Sequence, residues 1–257
     1  NTNLSAAGSS GGAAAALASG MAWLAHGSDM GGSLRNPASF CGVVGLRPSP
    51  GRVATDPGNK VDRLLSVEGP MARSVEDVAL LFDAMLGESP KDPVSLPRPA
   101  GDTFLHYARS GWMPEKVAYS DDLGITPVDP EVAAICRKAA YQLQGAGVIV
   151  EEAHPDLKEA HDCFGVLRAM SFATSHAAKL ATHRDLLKPD VVWNIEKGLQ
   201  LGMQDIVRAE AQRAEMIKRT NEFFDDYDLL LCPATIVAAF PVEQRYLEQC
   251  NGHTFAN

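Results

Sequence analysis

Two serine-containing segments near the start of the chain have residue types suited to nucleophilic chemistry. They are Gly8–Gly12, with the sequence GSSGG, and Gly27–Arg35, with the sequence GSDMGGSLR. A serine hydroxyl is a weak nucleophile at neutral pH, so it needs a nearby proton acceptor and N–H donors aimed at the developing oxyanion. Gly31 and Gly32 precede Ser33, and without side chains they let backbone N–H groups approach a carbonyl substrate. The two segments are therefore candidates for a nucleophilic acyl-transfer site, with a tightly turned glycine–serine loop as the alternative.

A run of small residues between these segments predicts the element that positions them. Ala13–Leu24 is rich in alanine, which has the highest helix propensity, and it has almost no polar side chains. A helix without a polar face is buried on all sides, so we expect this helix to lie in a core. Gly42–Leu46 predicts a short buried strand that stops at Pro48, and residues 51–70 predict a loop.

Capping residues and apolar spacing predict the elements that follow. Ser74 and the acidic residues after it predict the start of a helix. The segment 88–114 contains several prolines and has no periodicity, which predicts a surface connection between elements. Lys116–Ser120 and Val148–Val150 predict two strands joined by a helix that begins near Asp129, which is a β-α-β unit.

The last part of the chain is predicted to be mainly helical. Asp156–His183 and Met203–Asp226 have apolar residues three or four positions apart, as in long amphipathic helices. Asp228–Cys232 is a continuous apolar run before a proline, and it predicts a buried strand.

Composition narrows the class of protein. The 257 residues include 23 Lys and Arg against 32 Asp and Glu, a net charge of −9, and 46% are hydrophobic. These values are typical of a globular α/β protein and exclude a disordered chain. Without a block of basic residues, neither nucleic acid nor an anionic membrane is expected as the main partner. The apolar run 11–25 is too short to span a bilayer.

Cysteine usage predicts the compartment. The five cysteines are widely spaced and form no C-x-x-C pair, so neither a disulfide framework nor a zinc site is indicated. A reducing cytoplasm fits this pattern best. Cys41 and the His161–Cys163 run are interpreted as ordinary structural residues, with a metal site or dyad at the run as the alternative.

The segment Gly8–Leu46 resembles the signature region of the amidase signature family of serine hydrolases. The resemblance extends through Pro37–Pro48 and Glu68–Asp77, and more loosely over most of the remaining chain. It implies an α/β fold with a mixed central sheet covered by helices on both sides. We expect residues 1–257 to form one domain of this kind, truncated at both ends and therefore part of the full fold.

The resemblance also implies a role for individual residues. Ser33 matches the nucleophile, and Ser9 matches a serine on a cis peptide bond that relays the proton. The substrate is a small-molecule amide, no metal or organic cofactor is required, and homodimers are common in the family. The backbone N–H groups expected to hold the oxyanion are those of Met30, Gly31, Gly32 and Ser33, and the supporting residues are Ser10, Asp29 and Arg35.

This sequence departs from the family pattern at the third member of the catalytic triad. The family has a lysine upstream of the cis-serine, whereas the first lysine here is Lys60, after both serines. Because the chain begins at Asn1 rather than Met, we expect the lysine segment to have been cut. The alternative is a noncatalytic fragment or relative.

Two other interpretations of the same residues stay open. Gly8–Gly12 satisfies G-x-S-x-G, the nucleophile elbow of α/β-hydrolases, which would make Ser10 the nucleophile, although no hydrophobic strand precedes it. The A-type subunit of glutamyl-tRNA amidotransferase has the same signature as the amidases. In this chain Ser49–Arg52 replaces the Tyr-Gly-Arg usual in that subunit, which favours a stand-alone amidase.

Overall fold

The structure is a computed structural model that describes residues 1–56 and 65–255. It confirms the predicted α/β class. The helices are α1 (Gly11–Ala18), α2 (Arg35–Cys41), α3 (Val75–Met85), α4 (Phe104–Arg109), α5 (Pro130–Tyr141), α6 (Ala160–His183), α7 (Pro189–Leu199) and α8 (Met203–Phe223). The strands are β1 (Leu24–Asp29), β2 (Val44–Gly45), β3 (Val67–Ala72), β4 (Lys116–Tyr119), β5 (Ile149–Glu152), β6 (Leu229–Leu231), β7 (Gln249–Cys250) and β8 (His253–Thr254).

Internal contacts divide the chain into two compact units. The serine unit comprises Asn1–Pro114, Pro127–Ala139 and Cys232–Asn257. The helical unit comprises Glu115–Thr126 and Ala140–Leu231. All the predicted site residues belong to the serine unit, so the site can be built within that unit alone.

Helix α1 is shorter and more exposed than predicted. It ends at Ala18 rather than Leu24, and Ala15 and Ala18 face solvent. The helix stops because Gly20 adopts a φ of +78° and donates its N–H to Leu17 O, while the next residue donates to Ala16 O, which is a Schellman termination. The prediction of a helix buried on all sides was wrong, since the inward face alone is covered.

The residues after α1 form an antiparallel sheet with the order β1-β3-β2. Strands β1 and β3 were not predicted: β1 begins where the predicted helix was expected to end, and most of β3 falls in the predicted loop. Gly27 and Gly69 are directly opposite each other in the register. A Cβ on Gly69 would lie 2.2 Å from Leu46 O, so only glycine allows this close approach. The short strand β2 confirms the strand predicted at Gly42–Leu46, but not its burial, because Val44 and Gly45 are only partly buried.

The core of the serine unit lies between α1, α2 and this sheet. Its fully covered members are small or aliphatic, which lets the two serine segments approach each other closely. The core cluster comprises Ala14, Leu17, Leu34, Ala38 and Met71.

Helix α3 confirms the prediction made from its cap, because Ser74 Oγ accepts the N–H of Asp77 at 3.1 Å. The segment 88–114, predicted as an irregular connection, contains helix α4. This helix forms because Thr103 Oγ1 caps it and the Asp83 carboxylate accepts the N–H of Phe104 at 2.9 Å. The loop predicted at residues 51–70 lies partly outside the described residues and partly in β3.

The helical unit contains a parallel sheet with the order β5-β4-β6. The parallel pairing of β4 with β5 confirms the two predicted strands, and helix α5 lies between them in the sequence, as predicted. Strand β6 confirms the strand predicted at Asp228–Cys232, but not its burial: Leu229 is 40% exposed, because β6 is an edge strand in the described residues.

The two long helices α6 and α8 confirm the predictions from apolar spacing, and α7 was not predicted. Helix α7 packs closely on α6, since a Cβ on Gly198 would lie 2.1 Å from Ala169 O. Within the described part of the chain, every helix is too short or too polar to cross a membrane.

Candidate active site

The carboxylate of Asp29 holds the turn that carries Ser33. Asp29 ends strand β1 and is completely buried. Its Oδ1 accepts the N–H of Gly32 at 2.8 Å, and its Oδ2 accepts the N–H of Leu34 at 3.2 Å. These two bonds lie on either side of Ser33 in the sequence, so one side chain fixes the backbone before and after that residue.

Two arginines satisfy the remaining hydrogen-bonding capacity of Asp29. Arg35 donates from Nε to Oδ2 and from Nη2 to Oδ1, both at 2.9 Å, which is the bidentate arrangement of a guanidinium on a carboxylate. Arg47 donates from Nη1 to the backbone oxygen of Asp29, and the same nitrogen lies 3.4 Å from Oδ1. The expectation that Asp29 and Arg35 support the loop therefore has a geometric basis.

Electrostatics keep Asp29 ionised. Burial alone would raise the pKa of its carboxyl group, but hydrogen bonds from Arg35 and from the backbone of Gly32 and Leu34 outweigh burial and lower the pKa from 3.8 to about 2. The Arg35 guanidinium is stabilised in return, since its hydrogen bond to Asp29 raises the pKa of Arg35. At neutral pH the turn is thus held by a permanent negative charge.

The glycine before Ser33 is required by the turn itself. Gly32 has a φ of +105°, and a Cβ at this position would lie 2.6 Å from Asn36 Oδ1. Its carbonyl oxygen accepts the N–H of Asn36 at 2.7 Å, at the start of helix α2. Ser33 is half-buried and lies just before this helix.

The first serine segment contacts this turn through backbone and side chain. The peptide bond between Gly8 and Ser9 is cis, as the resemblance implies for this position, and Ser9 is exposed. The N–H of Ser10 donates to the carbonyl oxygen of Ser33 at 3.2 Å. The Ser10 hydroxyl accepts the N–H of Ser28 at 3.3 Å and donates to Ser28 O at 3.4 Å. The structure therefore brings together the two segments that α1 separates in the sequence.

The hydrogen bonds distinguish among the backbone donors predicted for the oxyanion. The N–H of Gly32 is engaged by the Asp29 carboxylate. Among the described residues, no protein acceptor lies within hydrogen-bond reach of the N–H groups of Met30, Gly31 and Ser33. These three groups are therefore the available donors, and Gly32 serves the turn instead.

The same contacts bear on the alternative nucleophile. Ser10 Oγ is committed to both backbone groups of Ser28, which leaves it poorly placed to attack a substrate. The residues before it contribute an isolated bridge at Leu4 rather than the strand that a nucleophile elbow requires. Ser10 is thus a link between the two segments.

Arg47 is the site residue that sequence reasoning missed. It lies in the Pro37–Pro48 stretch on which the resemblance rests, so the resemblance could have marked it as a candidate. No periodicity or spacing in the sequence links it to Asp29. The contact depends on the chain folding back after β2.

The other residues singled out in the sequence have structural contacts. Cys41 packs beside the core cluster, and burial raises the pKa of its thiol. In the helical unit, His161 Nε2 lies 2.9 Å from Ile125 O, and the buried Cys163 thiol donates to Ala209 O at 3.2 Å. Asp162 pairs with an arginine of α8. In residues 1–56 and 65–255, no group of three or more His, Cys, Asp or Glu side chains is arranged to hold a metal ion.

Known proteins resemble this chain over nearly its whole length. The family model described as Amidase matches residues 1–254. The chain is 34% identical to an acylamidase of Rhodococcus erythropolis, covering 93% of this chain and 50% of that protein. It is also 34% identical to the A-type subunit of the glutamyl-tRNA(Gln) amidotransferase of Moorella thermoacetica, covering 93% of this chain and 54% of that protein.

A solved structure gives the same result for the fold. The crystal structure of a bacterial aryl acylamidase of the amidase signature family superposes with a TM-score of 0.90 at 27% identity. The match covers 100% of this chain and 55% of that one. The chain thus spans about half the length of the relatives it matches.

Proposed function

The chain belongs to the Amidase family, and from this membership we propose that the whole protein hydrolyses a carboxylic amide to an acid and ammonia or an amine. The observation that carries the proposal is the junction of the two serine segments. The turn that Asp29 holds around Ser33 meets the cis peptide segment of Ser9 through the hydrogen bond from Ser10 N–H to Ser33 O. This junction supports the proposal that Ser33 acts as nucleophile, Ser9 as relay hydroxyl and the nearby backbone N–H groups as oxyanion donors.

In the proposed reaction the Ser33 hydroxyl oxygen attacks the amide carbonyl carbon. Its proton passes to the Ser9 oxygen while the Ser9 hydroxyl gives its own proton to the base that the family mechanism places behind it, and the same relay later returns a proton to the leaving nitrogen. The N–H groups of Met30, Gly31 and Ser33 stabilise the negative charge that develops on the carbonyl oxygen. The C–N bond then breaks, the leaving nitrogen takes up the proton, and an ester remains on Ser33. Water attacks this acyl-enzyme, releases the acid and restores the hydroxyl.

The family mechanism adds a lysine as the proton acceptor behind the cis-serine. Lys60 follows both serines in the sequence and lies outside the described residues, so we assign that role to no residue of this chain. Tests of catalysis therefore require the whole protein.

The test of this proposal is covalent labelling by an alkyl fluorophosphonate together with turnover of an amide. We expect Ser33→Ala to abolish both, because no oxygen remains to form the covalent bond. Ser19→Ala is the matched control, since Ser19 is an exposed serine at the end of α1, and it should label at the wild-type rate. Labelling of Ser33→Ala at the wild-type rate would refute the assignment of the nucleophile.

For the substrate, we propose an N-acyl aryl or alkyl amide. The support is the likeness to an acylamidase and to a bacterial aryl acylamidase. A panel of anilides and alkyl amides, assayed for amine or ammonia release, would establish the class. Turnover restricted to glutamine would argue for an amidotransferase instead.

The second candidate function is that of an amidotransferase A-type subunit, supported by the 34% identity to such a protein. The segment Ser49–Arg52 argues against it, because it lacks the Tyr-Gly-Arg usual in those subunits. Copurification with a partner protein, together with glutaminase activity, would favour this candidate over the stand-alone hydrolase.

We also propose that the protein works in the cytoplasm. No disulfide joins the cysteines in residues 1–56 and 65–255, which include all five of them, and Cys163 and Cys250 are buried. This pattern suits a reducing compartment, where disulfides do not persist.

A further inference from the structure

Arg47 contacts the turn that carries Ser33 but lies outside it in the sequence. It follows strand β2, and 24% of its side chain is exposed. Its Nη1 donates to the backbone carbonyl oxygen of Asp29, whereas the carboxylate oxygen Oδ1 is 3.4 Å from the same nitrogen. The main contact of Arg47 is therefore with a peptide group, and the pairing of the Asp29 carboxylate is already provided by Arg35.

That peptide group joins Asp29 to Met30, and its bond is trans. In a planar trans peptide the C=O and N–H bonds point in opposite directions. When the guanidinium fixes the Asp29 carbonyl oxygen, it also fixes the direction of the Met30 N–H. This N–H is one of the three backbone donors without a protein acceptor in the described part of the chain.

The Asp29 carboxylate does not perform this task. It accepts the N–H groups of Gly32 and Leu34, which lie further along the turn. Asp29 also pairs with Val67 of β3 at the end of the sheet, so the first peptide of the turn is held by the strand pairing and by Arg47, and the later ones by the Asp29 carboxylate. The first half of the turn around Ser33 is therefore held by different contacts from the second half.

A cationic donor on the carbonyl oxygen also strengthens the N–H at the other end of the peptide. Hydrogen bonds in a chain polarise one another by about 10–30% per bond. Burial lowers the pKa of Arg47, yet a guanidinium stays protonated in proteins, so the charge is retained at working pH.

We propose that Arg47 is a positioning residue for the oxyanion, acting through the Asp29–Met30 peptide to aim and polarise the Met30 N–H toward the carbonyl oxygen of the substrate. This inference rests on the proposed amide hydrolysis and adds a residue to it. It assigns to Arg47 a function that pairing with Asp29 alone would not require.

The experiment compares Arg47→Met and Arg47→Lys with a matched control in the whole protein. The control is Arg73→Met, because Arg73 Nη1 also donates to two backbone carbonyl oxygens, those of Leu17 at 2.9 Å and Ala22 at 2.8 Å, in a different part of the serine unit. Loss of a complete oxyanion donor lowers kcat by about 100- to 1000-fold, so a misaimed donor should cost about 10- to 100-fold. We expect this loss in Arg47→Met with KM changed less than about threefold, a smaller loss in Arg47→Lys, and wild-type kcat in Arg73→Met.

A second readout separates positioning from a general structural role. An aldehyde analogue of the substrate binds as a tetrahedral adduct with an oxyanion, whereas the corresponding alcohol does not. Arg47→Met should weaken aldehyde binding by about the same factor as kcat/KM and leave alcohol binding unchanged. If Arg47→Met unfolds below the assay temperature, the same pair of affinities is measured on Arg47→Lys.

Two outcomes would overturn the inference while leaving the proposed function intact. One is a wild-type kcat in the folded Arg47 variants, and the other is equal weakening of aldehyde and alcohol binding. Failure of the proposed function is recognised separately. In that case the wild-type protein would not turn over an amide, and the Ser33→Ala variant would still be labelled by the fluorophosphonate.

Discussion

Each compact unit contains an ion pair, and the two pairs differ in whether the carboxylate is buried or exposed to solvent. In the serine unit, the side chain of Asp29 is 0% exposed and is paired with Arg35. In the helical unit, Glu151 accepts a hydrogen bond from Lys116 Nζ at 2.9 Å, but its side chain is 47% exposed. Water competes for the second pair and is excluded from the carboxylate of the first.

The difference extends to what each carboxylate does for the backbone. Asp29 accepts two backbone N–H groups and thereby shapes a turn, while the carboxylate of Glu151 binds the side chains of Lys116 and Tyr227. Burial raises and hydrogen bonds lower the pKa of both carboxyl groups, but burial is the largest single influence at Asp29 and a minor one at Glu151. Burial, rather than the presence of an ion pair, therefore makes Asp29 a determinant of the site.

The largest effect is expected from Asp29→Asn. This change removes the buried charge that pairs with Arg35 and Arg47, although both guanidinium groups are partly exposed, and breaking a buried pair costs at most about 3–5 kcal/mol of unfolding free energy. The turn around Ser33 also loses its anchor, so kcat should fall by at least about 100-fold. Urea unfolding and amide turnover of the whole protein would measure the two quantities. An Asp29→Asn variant with wild-type kcat would show that the turn does not need the charge.

A smaller effect is expected from pH. The pKa of Asp29 is about 2 in the folded chain against an ordinary value of 3.8, so its stabilisation is fully present above pH 4 and is lost as the pH falls through 2. The shift corresponds to about 2 kcal/mol. Unfolding free energies measured from pH 5 to pH 2 should therefore fall less steeply in Asp29→Asn than in the wild type. Identical slopes would mean that other carboxyl groups account for the acid sensitivity.

The smallest effect is expected from Glu151→Gln, which is the exposed counterpart of Asp29→Asn. The pair is screened by solvent, so we expect no measurable change in the urea midpoint or in kcat. A loss comparable to that of Asp29→Asn would remove the distinction between the two pairs.

The sequence predicted elements best where local signals decide them. Ser74 with its acidic first turn located α3, and apolar spacing located α6 and α8. Strand β1 was missed because the sequence LAHGSD has no apolar alternation, and its pairing depends on the contact of two glycines from distant segments. The predicted helix ran past the observed end of α1, because helix propensity alone does not show that the chain turns at Gly20.

For the site, the resemblance supplied the candidate residues, and the structure supplied the relations among them. Asp29 and Arg35 were predicted as supports because they lie close to Ser33 in the sequence. Arg47 reaches the backbone of Asp29 across 18 residues, and no spacing rule predicts such a contact. The assignment of the Gly32 N–H to Asp29 likewise required coordinates, since all four N–H groups of the turn are equivalent in the sequence.

Peptide mapping of a trapped intermediate tests most directly whether Ser33 carries the acyl group. The whole protein would be reacted with an activated ester, quenched in acid and digested, and the modified residue located by mass spectrometry. We predict one acyl group per chain on the oxygen of Ser33. An acyl group on Ser9 or Ser10 in its place, or a hydrolytically active protein that never acquires one, would contradict this assignment.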